Sequence, residues 1–166
     1  MKFNLIDHVE HASAERFVGV KYVSLAEEYL ADHFPTFPVL PGVMMLEALT
    51  QAAAWILHLR RNFARSMAVL KEARNVRYGS FVAPGNSLRV EVDLLKEEDG
   101  QASFKATGLV GDAQAVAARL TVSYFNLADR QPDLADIDRR LIEHHRARWA
   151  LIAPSRQEGA GLVTLT

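Results

Sequence analysis

The stretch that most constrains this chain is the apolar run that follows Gly42. From Val43 to Leu57 the residues read VMMLEALTQAAAWIL, which leaves almost no polar face before His58. These are good helix formers, and neither proline nor glycine interrupts them until well past Arg61. A surface helix carries a polar stripe, so a helix without one is expected to be wrapped on most sides. At about 1.5 Å per residue, Val43 to Arg60 would span roughly 27 Å, the width of a small domain. Glu47 and Gln51 sit inside this run one turn apart, on the same face. A carboxylate in such surroundings needs a partner, a task, or both.

The approach to the helix is equally constrained. Pro35, Pro38 and Pro41 each fix φ at their own position and disfavour helix at the residue before, so His33 to Pro41 is predicted to be a stiff, extended loop. Gly42 then lets the backbone turn tightly into the helix. The whole unit is HFPTFPVLPGVMMLEALTQAAAWILHLRR, His33 to Arg61.

Composition narrows the class. A chain of 166 residues is most economically one domain with a real core, and a hydrophobic content of 49% with 23% charged residues suits a globular protein. A net charge of −1 gives no general reason to expect nucleic-acid binding. The chain has no cysteine, which rules out disulfides, thiolate catalysis and cysteine-ligated zinc. The opening MKFNLIDHVEH lacks the apolar core of a signal peptide, and Glu47 and Gln51 argue against a membrane span, so a cytoplasmic protein is expected. His8 and His11 lack companions at ligand spacing and are read as exposed rather than metal-binding.

The rest of the chain reads as strands followed by a helix. Arg16 to Leu25 reads as the first strand, and Ala26 to Ala31 as a helical turn. Asn62 to Ser66 is a polar connection. Met67 to Leu70 and Asn75 to Tyr78 form one strand or two, and Ala83-Pro84-Gly85-Asn86 is a turn. Leu88, Val90, Val92 and Leu94 alternate with polar residues, a strand with one buried face. The hairpin after it is assigned a three-residue loop with Gly100 left-handed, pairing Glu97 with Gln101 and Leu94 with Phe104, because only that register keeps Val92/Ala106 and Val90/Gly108 on one buried face. After a turn at Gly111-Asp112, Ala113 to Phe125 is the last strand, its inward set either Ala115's or Val116's. Asn126 to Asp133 reads as a linker. Leu134, Ile137, Leu141, His145, Trp149 and Ile152 then mark the packed stripe of an amphipathic helix, which leaves Arg139, Arg140 and Arg146 to water. A Gly- and Thr-rich tail from Pro154 to Thr166 is expected to be mobile.

The run His33-Phe34-Pro35, Pro38, Pro41-Gly42, Glu47, Gln51 resembles the active-site signature of the β-hydroxyacyl-acyl-carrier-protein dehydratases (the FabZ/FabA type), and the resemblance extends over roughly Leu5 to Phe125. It implies an α+β hot-dog fold in which a curved antiparallel sheet wraps a long central helix. Residues 1–126 would be the hot-dog domain, and residues 127–166 a linker, helical extension and tail of the same unit.

The resemblance also implies chemistry. His33 would be the base that removes the α-proton, and Glu47 the acid that helps the β-hydroxyl leave. Gln51 would orient Glu47, and the Gly42 backbone N–H would hold the developing thioester oxyanion. His33 and Glu47 would come from different subunits of a homodimer, with higher assembly left open. Phe37, Val43, Met44, Met45 and Leu46 would line an acyl tunnel, and no metal or redox cofactor is implied. Arg60, Arg61, Arg65, Lys71, Arg74 and Arg77, the densest basic region, are proposed to dock an acidic acyl carrier protein. The family usually has glycine at Thr36 and a polar residue at Phe37; if that glycine needs positive φ, Thr36 would redirect the loop. The rival readings are a hot-dog thioesterase and a non-catalytic carrier-binding subunit.

Overall fold

The computed structural model describes residues 3–154, and its centre is the expected helix. This helix, α1 (Gly42–Arg60), lies against a six-stranded, wholly antiparallel sheet. The strands are β1 (His8–Ala12), β2 (Arg16–Tyr22), β3 (Met67–Tyr78), β4 (Ser87–Glu98), β5 (Gln101–Val110) and β6 (Ala113–Phe125). Their order across the sheet is β1-β2-β4-β5-β6-β3, and α1 touches β2 through β6. Met45, Leu49, Ala52, Ala53 and Ile56 point into the sheet and are buried with Phe17, Val90, Phe104 and Leu120. Each of the larger side chains contributes about 1.5–3 kcal/mol on burial and the small alanines let the sheet approach closely, so the strands pack around the helix. Among the described residues α1 is long and apolar enough to cross a bilayer; here it is the core of the hot-dog fold.

The sheet departs from the reading of its sequence at several points. The first strand is β1, not Arg16 to Leu25: only Val9 of β1 is fully buried, so its hydrophobic alternation is too weak to see. The second strand stops at Tyr22. Met67 to Tyr78 is one strand whose pairing with β6 slips between Leu70 and Glu72 and between Arg74 and Arg77, which explains its broken pattern. On β6 the Val116 set faces inward, and an irregularity beside Gly108 buries Ala115 as well.

The β4–β5 hairpin is built differently from the expectation and arrives at the same core. Its turn has two residues, Asp99 (φ 48°) and Gly100 (φ 73°), both left-handed, and Glu98 pairs with Gln101. A regular ladder from that turn would set Leu94 opposite Lys105 and turn the buried face outward. A bulge restores the phase: Leu95, 51% exposed, is the extra residue. Beyond it Leu94 faces Phe104, Val92 faces Ala106 and Val90 faces Gly108.

After β6 two short 3-10 turns, Leu127–Asp129 and Pro132–Leu134, lead to α2 (Ala135–Ile152). Its register on the body differs from the expected stripe at one end. Ile137 is exposed, while the Asp138 carboxylate is buried and accepts from the Leu127 and Ala128 N–H groups, each at 2.9 Å, and from the Ser66 hydroxyl. Further along, Trp149 packs on Trp55 with ring centroids 5.5 Å apart, and Ile152 is buried. The tail expected after Pro154 lies outside the described residues.

Because Gly100 holds φ near +73° in a turn that fixes the hairpin register, Gly100→Val should cost about 1–2 kcal/mol, read as a lower urea midpoint.

Candidate active site

The loop before α1 is folded back rather than extended. Pro35 and Thr36 are the corner of a tight turn: the Phe37 N–H donates to the Phe34 carbonyl at 3.0 Å, and the Phe34 N–H to the Phe37 carbonyl at 3.1 Å. Proline presets φ for a turn corner as well as for extended chain, which is why prolines alone misled. Thr36 is not among the residues with positive φ, so this turn accepts a side chain there. The peptide between His33 and Phe34 is cis. The Val39 N–H closes the loop on the His33 carbonyl at 3.0 Å, and the Leu40 N–H bonds the Val82 carbonyl at 2.9 Å.

That closure orients the histidine. His33 Nδ1 lies 3.2 Å from the Val39 carbonyl oxygen. An oxygen acceptor there selects the Nδ1–H tautomer and leaves the lone pair on Nε2, the form a base requires. The ring stacks on Phe34 at 4.3 Å and is half-buried.

Gly42 opens α1, so its N–H has no carbonyl to bond within the helix and stands at the positive end of the dipole. A Cβ at Gly42 would meet the Tyr78 ring at 3.0 Å, so glycine lets β3 close over the helix start. Glu47 and Gln51 are joined as expected: Gln51 Nε2 donates to Glu47 Oε1 at 3.0 Å. Gln51 also accepts from the Leu5 N–H at 2.9 Å and donates to the Phe3 carbonyl at 3.1 Å. The amide thus ties the amino-terminal segment to α1 and holds the carboxylate in place. No hydrogen bond within the chain joins His33 to Glu47. Among the described residues no group of three or more His, Asp or Glu side chains stands close enough to hold a metal ion.

The expected tunnel and docking residues are placed as follows. Met44 and Met45 are buried core residues, because their positions on α1 face the sheet. Of the expected tunnel lining, Phe37 and Val43 are exposed and Leu46 is half-buried. Phe37 meets Phe81 edge-on at 5.5 Å, and with Phe34 they leave an apolar surface beside His33. The basic region, meanwhile, is largely engaged within the chain. Arg60 and Arg61 both grip Glu97, Arg65 pairs with Asp129 at 3.1 Å, Arg74 with Glu72 at 2.9 Å, and Lys71 donates to Gln101. Arg60 and Arg61 also stand at the far end of α1, roughly 27 Å from Gly42. Arg77, exposed and next to Tyr78, is the member near the site.

The sequence reading missed a cluster where α2 meets α1. His58 and His145 pack in a tilted arrangement with centroids 4.3 Å apart, Trp55 lies edge-on to both, and His145 Nε2 donates to the Ser66 carbonyl at 3.0 Å. Burial, then the neighbouring His145, pushes His58 down to about 4. Burial also lowers His145. The available signal was His145 falling on the packed stripe of its helix.

Comparison with known proteins follows the same lines. The family described as FabA-like domain matches residues 1–119. A 3-hydroxyacyl-[acyl-carrier-protein] dehydratase FabZ of Solibacter usitatus is 30% identical over 136 residues, 81% of this chain and 84% of that one. The FabZ of Exiguobacterium sibiricum is 36% identical over 121 residues, 72% of this chain and 86% of that one. Among solved structures, the dehydratase heterocomplex ApeI:P of Xenorhabdus doucetiae matches with a TM-score of 0.62 at 21% identity, over 76% of this chain and 86% of that one, which shows a shared fold.

The Glu97 site gives a pH prediction. Burial raises its carboxyl, but hydrogen bonds led by the one from Arg60 outweigh burial and hold it at about 2. A depressed carboxylate stabilises the fold above its unfolded value of about 4.3, and that stability is lost as pH falls toward 2. It amounts to about 2–3 kcal/mol at neutral pH, allowing for solvent around Arg61. Glu97→Gln should lose that much in urea unfolding at pH 7, and its stability should change less with pH than wild type across this acidic window.

Proposed function

This chain belongs to the FabA-like family and is a β-hydroxyacyl-acyl-carrier-protein dehydratase of fatty-acid synthesis, and we propose that His33 and Glu47 carry its reaction. The observation that supports these roles is the Glu47–Gln51 pair on a helix whose first N–H is unbonded, preceded by a histidine with Nε2 free. Nε2 of His33 takes the proton alpha to the thioester carbonyl. Glu47, held by Gln51, delivers a proton to the β-hydroxyl, which leaves as water. The bonding electrons form the trans-2 double bond, and the charge that passes through the thioester oxygen is met by the Gly42 N–H. The step is redox-neutral, and these groups balance it without a metal or redox cofactor.

His33 and Glu47 are not bonded within one chain, and the reading resolves this with a two-fold homodimer in which one subunit's His33 faces the other's Glu47. Two features support it. The twelve-residue strand β3 is an edge of the sheet, and exposed Phe34, Phe37 and Val43 are apolar surface that a second copy would cover. The acyl carrier protein would approach the Gly42 end of α1, where Arg77 is the available cation, rather than Arg60 and Arg61. The same reading puts the enzyme in the cytoplasm with its carrier.

Turnover of a β-hydroxyacyl thioester, followed as enoyl absorbance, tests this. His33→Ala and Glu47→Gln should each lower kcat by at least about 100-fold with folding unchanged. Mixing the two variants under exchange should restore activity, since each mixed dimer carries one intact site. Failure of the mixture to recover, with mixed dimers present, would contradict the shared site. An inert wild type would sink the assignment.

A further inference from the structure

A cavity of about 260 Å³ lies between α1, α2 and the start of β3. It is partly open to solvent and its lining is largely apolar, with Gln51, Ser66, His144 and Arg148 among its polar members, so a ligand can enter it from outside. Its α1 wall is Gln51, Ala54, Trp55 and His58, and at 3.6 residues per turn these continue the face that carries Glu47. The wall begins one turn beyond Glu47, and His58 stands roughly 16 Å from it along the axis. The opposite wall is α2, through Leu141 and His145, and α2 lies outside the residues matched by the family. At the His58 end the tilted pair His58–His145 is anchored to the Ser66 carbonyl and backed by Trp55, on which Trp149 packs.

We propose that this cavity receives the distal end of the substrate's acyl chain and that α2 closes it, with the His58–His145 pair as the stop that sets chain length. The assignment rests on the dehydratase reading, because it requires the reacting carbons to lie at Glu47. The chemistry of the stop favours an uncharged alkyl end. With His58 held near 4 and His145 lowered, both rings are neutral at pH 7 and offer no charge to a carboxylate. Arg148, also on the lining, is engaged with the Ile6 carbonyl at 2.9 Å.

The chain contains two tryptophans; Trp55 lines this cavity and Trp149 packs on Trp55 with ring centroids 5.5 Å apart, so tryptophan emission responds when the cavity is filled. S-decyl and S-butyl pantetheine thioethers, inert to the reaction, serve as probes. The decyl probe should change tryptophan emission saturably and the butyl probe should not. Ala54→Phe, which fills the cavity, should abolish that response and lower kcat/KM for β-hydroxydecanoyl relative to β-hydroxybutyryl thioester by about tenfold or more. Leu141→Ala, which enlarges the cavity from the α2 side, should shift the preference toward longer chains. Competitive inhibition by the decyl probe without an emission change would overturn the proposal, as would an unchanged chain-length ratio in an Ala54→Phe variant of matched melting temperature. Wild-type inactivity on both substrates would remove the dehydratase reading instead, and the emission response would still decide whether the cavity takes an alkyl chain.

Discussion

Burying one face of α1 while its other face carries Glu47 and Gln51 is the constraint that the rest of the structure serves. The sheet-facing residues Met45, Leu49, Ala52, Ala53 and Ile56 cannot be satisfied by a flat sheet on one side, so the strands curl around them. That leaves the other face to be covered by something polar enough for a carboxylate. Gln51 supplies it: one amide bonds Glu47, the Leu5 N–H and the Phe3 carbonyl. A single side chain therefore closes the amino-terminal segment over the helix and holds the Glu47 carboxylate in place. Leaving either partner unpaired would cost about 1–3 kcal/mol, so the geometry around Glu47 is maintained by the fold itself.

The helix start has a similar economy. The turn at Pro35-Thr36 and the bond from His33 Nδ1 to Val39 fix the imidazole from one side, and Tyr78 over Gly42 fixes the helix end from the other. What the family model matches ends at residue 119. What this chain adds is α2, latched by Asp138 at one end and by His145 and Trp149 further along, over the far stretch of the same helix face. Active-site end and α2 end are thus joined by one run of residues from Glu47 to His58.

Where a single residue's chemistry decided the outcome, the sequence was a good guide. The apolar helix, the Glu47–Gln51 pair and the Pro84-Gly85 turn are local consequences of residue type and spacing. The hairpin shows the limit: the buried register of Leu94 and Phe104 was correct, yet the loop length was not, because a bulge at Leu95 makes a two-residue turn compatible with it. Pattern fixes which face is buried, but not where the chain absorbs an odd residue. The ion pairs of the basic region were illegible for a different reason. Arg60 and Arg61 are adjacent to the other cations in sequence, but Glu97 reaches them from β4, and no linear pattern reveals such a partner. The His58–His145 pair was hidden likewise, by 87 positions of chain between its members.

The account's central claim is that this helix face adds and removes water across the α,β bond of a carrier-bound acyl chain. Its most direct test is the reverse reaction, with a trans-2-enoyl acyl-carrier-protein thioester incubated in heavy water and the product weighed by mass spectrometry. The account predicts a β-hydroxyacyl thioester that retains a single carbon-bound deuterium at the α-position, formed by wild type and not by His33→Ala. Free acid with released carrier thiol, or enoyl substrate recovered unchanged, would contradict it.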